Sequence, residues 1–279
     1  MKHPRRLQHL PKLPVRSSSG HKGMFGRVLI IGGSDGMIGA PAFAGLAALR
    51  MGCGLAYVAT QREMLPYILI TAPELVGVPV TRSSDLNMAI ESCTSIVVGP
   101  GMGTTSFAIT MLQAAIASSL PLLIDADGLN LLASGHVELD RPAMTTVLTP
   151  HPGEMIRLGK LIGFDRVPDD DDGRLEVAVA VAKYFSQVIL LKGEKKVITD
   201  GNSYAVNTTG DSTLAKAGSG DILSGMIGTL LGQNVLPMDA ARLGAYYHGK
   251  AGEQAGKILG RRSALARDIT DAIPNVLPR

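Results

Sequence analysis

Residues 214–225 read LAKAGSGDILSG, a glycine-rich turn that leads into an apolar segment. The pattern predicts a helix that begins near Gly220. Small residues let backbone N–H groups approach an anion closely, and the positive end of the helix dipole favours negative charge at the same point. Asp221 would lie beside such an anion and could take a proton from a hydroxyl group there. The alternative interpretation of an isolated Gly-x-Gly-Asp is a plain Asp N-cap.

Short apolar runs alternate with loops and helical segments in the two hundred or so residues before this turn. This alternation predicts an α/β fold with a doubly wound, mostly parallel sheet and helices on both faces. In such sheets ligands bind across the carboxyl ends of the strands. The predicted strands are 28–31, 55–59, 96–98, 121–124, 146–148 and 188–191, and the clearest helices are 40–51 and 174–185. Residues 196–199 and 203–206 predict a hairpin that forms the antiparallel edge of the sheet.

Composition and charge narrow the class of protein further. The chain has 279 residues, 33 of them Gly, with 4% aromatic residues and no Trp, which favours a glycine-punctuated α/β enzyme over a β-sandwich. The net charge is +3, and much of the excess lies in the first 27 residues. We therefore predict an extended basic arm over residues 1–24 and a single α/β domain over residues 25–279.

The same features exclude several partners and locations. The sequence has no basic stripe interleaved with aromatic residues, which would indicate a nucleic-acid partner. It also has no apolar run of about 18 residues, which would indicate a membrane span. The N-terminal residues lack the apolar region of a secretory signal. The two cysteines, Cys53 and Cys93, form no CxxC motif, so we expect buried thiols in a reducing compartment and a cytoplasmic protein.

The first glycine-rich loop, GGSDGMIGAP at residues 32–41, invites comparison with a dinucleotide-binding Rossmann turn. Its glycines at 33, 36 and 39 do not give GxGxxG, and no acidic residue ends the second predicted strand. We therefore expect this loop to contact phosphates or a nicotinamide-bearing ligand in a different geometry.

Two more loops follow predicted strands and carry ligand-binding residue types. GPGMG at residues 99–103 favours close approach of the backbone to a ligand. DADGLN at residues 125–130 offers two carboxylates that would either bind magnesium through water or cap the following helix, and the sequence does not choose between these roles.

Charged residues mark three later loops. TPHPGE at residues 149–154 fixes His151 between two prolines, which favours a ligand contact. KGEKK at residues 192–196 has cations suited to nucleotide phosphates, with a solvated hairpin tip as the alternative. The acidic run at residues 169–172 is interpreted as a solvated loop before the helix at 174–185.

Taken in order, these loops resemble the ribokinase-like superfamily and, within it, the ADP-dependent NAD(P)H-hydrate dehydratase family. The similarity extends from about His21 to the segment at 268–274. The motifs that carry it are HKG (21–23), GRVLIIGGS (26–34), GMIGAP (36–41), GPGMG (99–103), DADGLN (125–130), TPHPGE (149–154) and GSGD (218–221).

The resemblance implies repair of the hydrated (6S) forms of NADH and NADPH at the expense of ADP, or of ATP. The ring hydroxyl would be phosphorylated and then eliminated, with Mg²⁺ neutralising the nucleotide phosphates. A homo-oligomer such as a tetramer is implied as well, and no residue is assigned as a protein ligand of the metal. The small-molecule partners would be the two hydrates, NADHX and NADPHX, and ADP.

The resemblance also implies roles for individual residues. Asp221 would be the catalytic base, and the amides of Gly218, Ser219 and Gly220 would form the anion hole. The hydrated dinucleotide would contact Ala40, Gly101, Gly103, His151 and Asp221. The nucleotide would contact Lys192, Gly193, Glu194, Lys195, Lys196 and Gly220.

Two departures from the family pattern bear on nucleotide choice. Residues 210–217 read GDSTLAKA where the family often has Gly-Asn-Pro-Gly and small residues, and Lys196 stands where threonine is common. Lys216 would either reach a phosphate or be exposed. The rival interpretations are a superfamily kinase of a hydroxymethylpyrimidine, a thiazole alcohol or a sugar, and a non-catalytic dinucleotide sensor.

Overall fold

Ten strands form one sheet in the computed structural model of the protein, which describes residues 4–278. The strands are β1 (Arg5–Arg6), β2 (Arg27–Ile31), β3 (Leu55–Gln61), β4 (Val76–Val80), β5 (Ser95–Val98), β6 (Leu122–Ile124), β7 (Thr146–Leu148), β8 (Val188–Leu191), β9 (Lys196–Thr199) and β10 (Ser203–Asn207). Their order across the sheet is β1-β10-β9-β8-β7-β6-β5-β2-β3-β4. Neighbouring strands pair in parallel except where β9 meets β8 and β10.

Ten helices cover the two faces of the sheet. They are α1 (Gly39–Met51), α2 (Leu65–Thr71), α3 (Ser83–Glu91), α4 (Ser106–Ala117), α5 (Asp127–Ala133), α6 (Pro152–Gly159), α7 (Asp171–Phe185), α8 (Ser219–Gly232), α9 (Pro237–Leu259) and α10 (Ala266–Val276). Short 3₁₀ turns occupy Lys22–Met24, Lys160–Ile162 and Ser212–Leu214.

The strand residues alternate between two hydrophobic cores, one on each face. Val28 and Ile30 pack into the core that includes α1, α8, α9 and α10. Leu29 and Ile31 pack into the core that includes α4, α6 and α7. Because the central strands such as β2, β5 and β8 are buried on both faces, their sequences are continuous apolar runs, which explains why they were predicted from the sequence.

The chain reverses its direction across the sheet between β2 and β5. From β2 it proceeds outward through β3 to β4, and it then returns to begin the other half with β5 beside β2. The loops that follow β2 and β5 therefore lie side by side at the topological switch point, where open α/β sheets bind ligands.

The predicted fold class and its antiparallel hairpin are confirmed, with one addition at the edge. β9 and β10 pair antiparallel, and β1 of the arm then pairs with β10 in parallel. Arg5 N and Leu7 N donate to the carbonyl oxygens of Asn202 and Tyr204, at 2.9 and 2.7 Å. Residues 5–7 are thus held at the edge of the sheet, whereas residues 1–3 and 279 are outside the described chain.

Two elements differ from the sequence prediction: one strand was not predicted, and one helix begins earlier than predicted. Strand β4 was not predicted, because Gly77 and Pro79 interrupt its apolar pattern; at the edge of a sheet a proline is tolerated since its missing N–H faces no partner. The run at 169–172 is only partly a loop, because α7 begins at Asp171. Asp170 caps that helix by accepting from Gly173 N at 2.8 Å, and acidic side chains in the first turn complement the helix dipole.

No helix in the described range, 4–278, combines the length and apolarity needed to cross a membrane.

Candidate active site

The GSGD turn begins α8 at the carboxyl edge of the sheet. Gly218 has φ +88°, a left-handed conformation that favours glycine, and helix α8 begins at the next residue. Gly218 is therefore the N-cap residue, and the plain N-cap interpretation of Asp221 is wrong: its carboxyl belongs to the first turn of the helix. Near the C-terminal end of α8, Thr229 Oγ1 donates to Ala48 O at 3.0 Å and holds the helix against α1.

The carboxyl of Asp221 is held in a protonatable state. Burial raises its pKa to about 7, and the negative charges of Asp125 and Asp127 act in the same direction, whereas Lys192 opposes them. A carboxyl with a pKa near neutrality can accept a proton from a hydroxyl and release it again, which suits a general base.

A buried ion pair lies beneath this turn. Lys192, at the end of β8, donates from Nζ to Asp125 Oδ1 at 2.5 Å, and Ser224 Oγ of α8 donates to Asp125 Oδ2 at 2.6 Å. Burial alone would lower the pKa of Lys192, but the carboxylates of Asp125, Glu154 and Asp221 outweigh it and raise that pKa. Lys192 is therefore positively charged. Its Nζ lies at the start of α8, 3.3 Å from the position that a Cβ on Gly220 would take.

His151 caps a helix, a role that the sequence did not indicate. It is the N-cap of α6, and its Nδ1 accepts from Gly153 N and Glu154 N at 3.0 and 3.3 Å. Because Nδ1 is an acceptor, the neutral ring carries its proton on Nε2. Burial, with the charges of Lys192 and Arg157, lowers the pKa of His151, while its ring remains half-exposed at the edge of the site.

Glu154 is the ionisable residue that sequence reasoning left without a role. It is 4% exposed and accepts from His151 N at 2.8 Å, completing a capping box. Burial raises its pKa to about 7, although Lys192 pulls that pKa down. Asp125, Glu154 and Asp221 thus all act on the one ammonium of Lys192, and the raised pKa values of the latter two limit the negative charge of this cluster near neutral pH.

The loops after β2 and β5 meet at the switch point, as the topology requires. Gly33 N donates to Pro100 O at 2.9 Å, and Ser34 Oγ donates to Gly101 O at 2.8 Å. The Cβ of Ala40 lies 3.1 Å from the position that a Cβ on Gly101 would take. Three of the residues predicted to contact the dinucleotide, Ala40, Gly101 and Gly103, therefore belong to one surface.

Asp125 and Asp127 have separate partners, and neither side chain caps the following helix α5. The side chain of Asp127 does not cap α5; its Oδ2 accepts from Gly103 N at 2.9 Å and its Oδ1 accepts from Asn130 Nδ2 at 3.2 Å. Arg157 Nε in turn donates to Asn130 Oδ1 at 3.0 Å, which links the 99–103 loop to α6. Asp127 thus stabilises the conformation of the glycine-rich loop at residues 99–103.

A cavity of about 640 Å³ opens beside the GSGD turn, and its volume lies within the range of small-ligand sites. Its walls are the loop after β8, the loop that precedes α8, the first turn of α8, and one residue of α9. The lining residues are Lys192, Gly193, Glu194, Lys196, Gly210, Asp211, Ser212, Leu214, Ala215, Lys216, Ser219, Gly220, Leu223 and His248.

The cavity brings together most of the predicted nucleotide residues. Lys196 is 6% exposed and pairs with no carboxylate within the described chain, and burial lowers its pKa. Lys195 is directed elsewhere, with its Nζ 2.7 Å from Asp171 Oδ2 at the surface. Lys216 lines the cavity while its Nζ donates to Arg262 O at 2.7 Å, so it is neither free nor simply exposed.

His248 is the lining residue that sequence reasoning missed. It lies on α9 and is 3% exposed, next to Ser219 of the anion turn. The available signal was a polar residue within a stretch of Ala, Gly and Tyr that otherwise reads as helix packing. Periodicity alone does not show which element such a residue faces.

The turn between β6 and α5 stores backbone strain at Ala126, whose φ of +47° and ψ of −117° suit glycine better than alanine. We expect Ala126→Gly to raise the free energy of unfolding by up to about 1 kcal/mol, because strain relief exceeds the added chain entropy. Ala114→Gly, inside α4, is the matched control and is expected to lower it by about 1 kcal/mol. Urea unfolding measures both; equal losses in the two variants would show that Ala126 is unstrained.

Comparison with known proteins gives consistent matches over nearly the whole chain. A family model described as NAD(P)H-hydrate dehydratase matches residues 28–275. An ADP-dependent (S)-NAD(P)H-hydrate dehydratase of Neisseria meningitidis serogroup B is 33% identical over 96% of this chain and 92% of its own length. A bifunctional NAD(P)H-hydrate repair enzyme of Moorella thermoacetica is 38% identical over 95% of this chain and 52% of its own. The chain thus spans about half the length of the curated relatives it matches first.

A solved structure agrees in fold. The ADP/ATP-dependent NAD(P)H-hydrate dehydratase of Bacillus subtilis, co-crystallised with ATP and Mg²⁺, superposes with a TM-score of 0.80 at 29% identity, covering 95% of this chain and 93% of that one. The ribokinase-like fold predicted from the sequence is confirmed.

Proposed function

The chain belongs to the NAD(P)H-hydrate dehydratase family, and from this membership we propose that it catalyses the ADP-dependent dehydration of hydrated NADH and NADPH. The observation that carries the proposal is the position of Asp221. Its carboxyl, with a pKa of about 7, follows an anion-binding turn that separates the glycine loops of the switch point from a cavity lined by lysines. A phosphoryl donor and a hydroxyl acceptor can meet at such a turn.

The dinucleotide would bind on the switch-point side. Ala40, Gly101 and Gly103 offer a close backbone approach, and Asp127 holds the loop that contains the two glycines. Nδ1 of His151 is occupied by the cap and its Nε2 lies 3.3 Å from Glu154 Oε1, so the half-exposed ring would contact the ligand through its exposed edge. Asp221 would face the ring hydroxyl.

The nucleotide would bind in the cavity. Lys192, Gly193, Glu194, Lys196 and Gly220 line it, and the buried ammonium of Lys196 supports an anionic ligand, since a buried cation needs a counter-charge. Lys195, also assigned to this group from the sequence, would act only after leaving Asp171. Lys192 would add positive charge beside the anion turn, where a transferring phosphoryl group is stabilised.

The proposed chemistry divides into transfer and elimination. Asp221 accepts the proton of the ring hydroxyl while the hydroxyl oxygen attacks the terminal phosphorus of ADP. The bond from that phosphorus to AMP breaks. The amides of Gly218, Ser219 and Gly220 hold the phosphoryl oxygens. The ring then expels phosphate with cleavage of its C–O bond, and loss of a proton from the adjacent carbon restores the double bond. NADHX and ADP thereby give NADH, AMP and phosphate.

Mg²⁺ would neutralise the nucleotide phosphates when bound. Within residues 4–278 no group of three His, Cys, Asp or Glu side chains converges as a metal cage. Mg²⁺ is usually held by substrate phosphates, water and one or two carboxylates, so the nucleotide itself would supply most of its ligands.

The pKa of Asp221 sets the expected dependence of activity on pH. A base must be ionised, so kcat/KM should rise as pH increases through about 7 and level off above it. Initial rates at saturating ADP across this interval test the prediction. A profile that stays flat from acid to neutral pH would rule out Asp221 as the titrating base.

The proposed function is tested by incubating the protein with NADHX, Mg²⁺ and either ADP or ATP. Return of the near-ultraviolet absorbance of the reduced nicotinamide supports it, and the faster nucleotide identifies the donor. NADPHX in place of NADHX gives the dinucleotide preference. A stable phosphorylated alcohol formed from a pyrimidine, thiazole or sugar substrate, with NADHX unchanged, would instead indicate a kinase.

The proposed assembly is a homo-oligomer in the cytoplasm, a tetramer being the form suggested by the family resemblance. Val15 and Met24, in the N-terminal segment, expose 95% and 62% of their surface, and a contact between copies would involve these two side chains. Light scattering of the wild type and of Val15→Asp tests this. A monomeric wild type would contradict it.

A further inference from the structure

His248 is buried beside the anion turn with only one of its two ring nitrogens engaged. Its Nε2 lies 3.1 Å from Ser219 Oγ, whereas its Nδ1 has no hydrogen-bond partner within residues 4–278. Both residues line the cavity proposed for the nucleotide, and each is less than 5% exposed. An unpaired buried nitrogen at such a position calls for a physical reason.

The surroundings of His248 keep its ring neutral. Burial, together with the positive charge of Lys196 and of Lys192, lowers its pKa to about 3, although a hydrogen bond with the backbone of Ser219 acts the other way. A neutral imidazole has one N–H and one lone pair. The proton is therefore on Nε2 or on Nδ1, and the two tautomers differ in what they leave unpaired.

The unpaired nitrogen selects between these tautomers. A proton on Nδ1 would leave a buried N–H without an acceptor, and such orphaned donors are rare in folded proteins. A proton on Nε2 leaves only an unpaired lone pair at Nδ1, and the Nε2–H then donates to Ser219 Oγ. This tautomer has a consequence for Ser219: with its oxygen accepting from His248, the hydroxyl proton remains available for another acceptor.

We propose that His248 is a positioning residue that orients the Ser219 hydroxyl as a side-chain donor to the phosphoryl group of the nucleotide. The inference rests on the proposed function for the identity of that anion. Ser219 stands between Gly218 and Gly220, so its hydroxyl would add a donor to the three backbone amides. In this role His248 acts through Ser219 and not through its own Nδ1, which is buried.

The competing explanation is that His248 only fills space between helices. The neighbouring glycines of α9 do serve packing, since a Cβ on Gly249 would lie 2.1 Å from Thr209 Oγ1 and one on Gly252 would lie 2.4 Å from Leu214 Cδ2. A packing role predicts that any buried residue of similar size preserves activity. A positioning role requires an N–H donor at this place and acts only through Ser219.

The test is a double-mutant cycle with a conservative rescue. Removing one donor from an oxyanion hole lowers kcat by about 100- to 1,000-fold, so Ser219→Ala should lower kcat at least tenfold with little change in KM for ADP. His248→Leu should match that loss, His248→Gln should retain most of the activity through its amide N–H, and the Ser219→Ala/His248→Leu double variant should be no worse than Ser219→Ala. Lys257→Gln, on the exposed side of α9, is the control for handling of the variants.

Two results would overturn the proposal. One is a double variant whose kcat is lower than that of Ser219→Ala by the full factor that His248→Leu causes in the wild type. The other is a kcat of His248→Gln as low as that of His248→Leu. Nitrogen-15 spectra of the wild-type histidines provide an outcome that needs no turnover: the proposal requires the Nε2–H tautomer of His248, and the Nδ1–H tautomer would refute it. A wild type that leaves NADHX unchanged would refute the proposed function while the tautomer still decides the role of His248.

Discussion

Replacing Asp221 by Asn is expected to lower kcat at least about 1,000-fold while changing the affinity for ADP less than about threefold, since a general base contributes about 10²- to 10⁴-fold. Asn keeps the size and hydrogen-bonding shape of the side chain but cannot accept the hydroxyl proton. ADP affinity should persist because the cavity lining does not include Asp221. Steady-state kinetics with NADHX and calorimetric titration with ADP measure the two quantities.

The stability of the same variant separates a catalytic loss from a folding defect. Burial raises the pKa of Asp221 from 3.8 to about 7, so the native state resists its ionisation and loses stability as pH rises from about 4 through about 7. The Asp221→Asn protein should therefore have a higher Tm than the wild type at pH 8, and the difference should disappear near pH 4.

Asp85 is the matched control because it also lies in the first turn of a helix. The amides of Thr81 and Arg82 lower the pKa of Asp85, so its contribution to stability is present above pH 4 and is lost as pH falls. Asp85→Asn should reduce Tm slightly at pH 8 and leave kcat unchanged. An Asp221→Asn enzyme with wild-type turnover would refute the assigned base.

Replacing Lys192 by Met is expected to lower the free energy of unfolding by about 3 kcal/mol, within the range found when a buried ion pair loses one partner. Asp125 is 1% exposed, and Lys192 supplies the cation that compensates it at 2.5 Å. Among residues 4–278, Ser224 alone would remain as a hydrogen-bond partner of the Asp125 side chain. Activity should fall as well, because the same ammonium lies beside the anion turn. Urea unfolding gives the stability change.

A surface pair provides the comparison for this prediction. Arg50 and Asp271 are 3.2 Å apart with both side chains about half-exposed, so Arg50→Met should cost no more than about 1 kcal/mol. Adding Asp125→Asn to Lys192→Met should recover part of the lost stability, because it removes the uncompensated charge. Equal losses for Lys192→Met and Arg50→Met would show that the buried pair is not needed for folding.

The parallel strands that were predicted correctly from the sequence are those whose residues are largely buried on both faces. Strands such as β2 and β8 are continuous apolar runs bounded by glycine or lysine loops, and only a buried parallel sheet explains several of them in one chain. Strand β4 escaped detection because an edge position relaxes the need for such a run. The helix start at Asp171 was missed because a capping aspartate and a loop aspartate have the same local sequence.

Within the site, the sequence identified the loops but not the pairings between them. Glycine turns and the proline-flanked His151 are local patterns, and the structure places them at the same edge of the sheet. The pairs Asp125 with Lys192 and Ser219 with His248 are separated by 67 and 29 residues. Such contacts depend on strand order and helix rotation, which local patterns do not specify. For the same reason the sequence could not show that Lys195 is directed toward Asp171.

The most direct test of the proposed reaction is its stoichiometry in a single vessel. The purified protein is incubated with NADHX, ADP and Mg²⁺, and NADH, AMP and phosphate are quantified over time. The proposed reaction predicts that the three products appear in equal amounts and that none appears with Asp221→Asn. AMP and phosphate released without NADH, or NADH regenerated without nucleotide consumption, would contradict a dehydration driven by phosphoryl transfer.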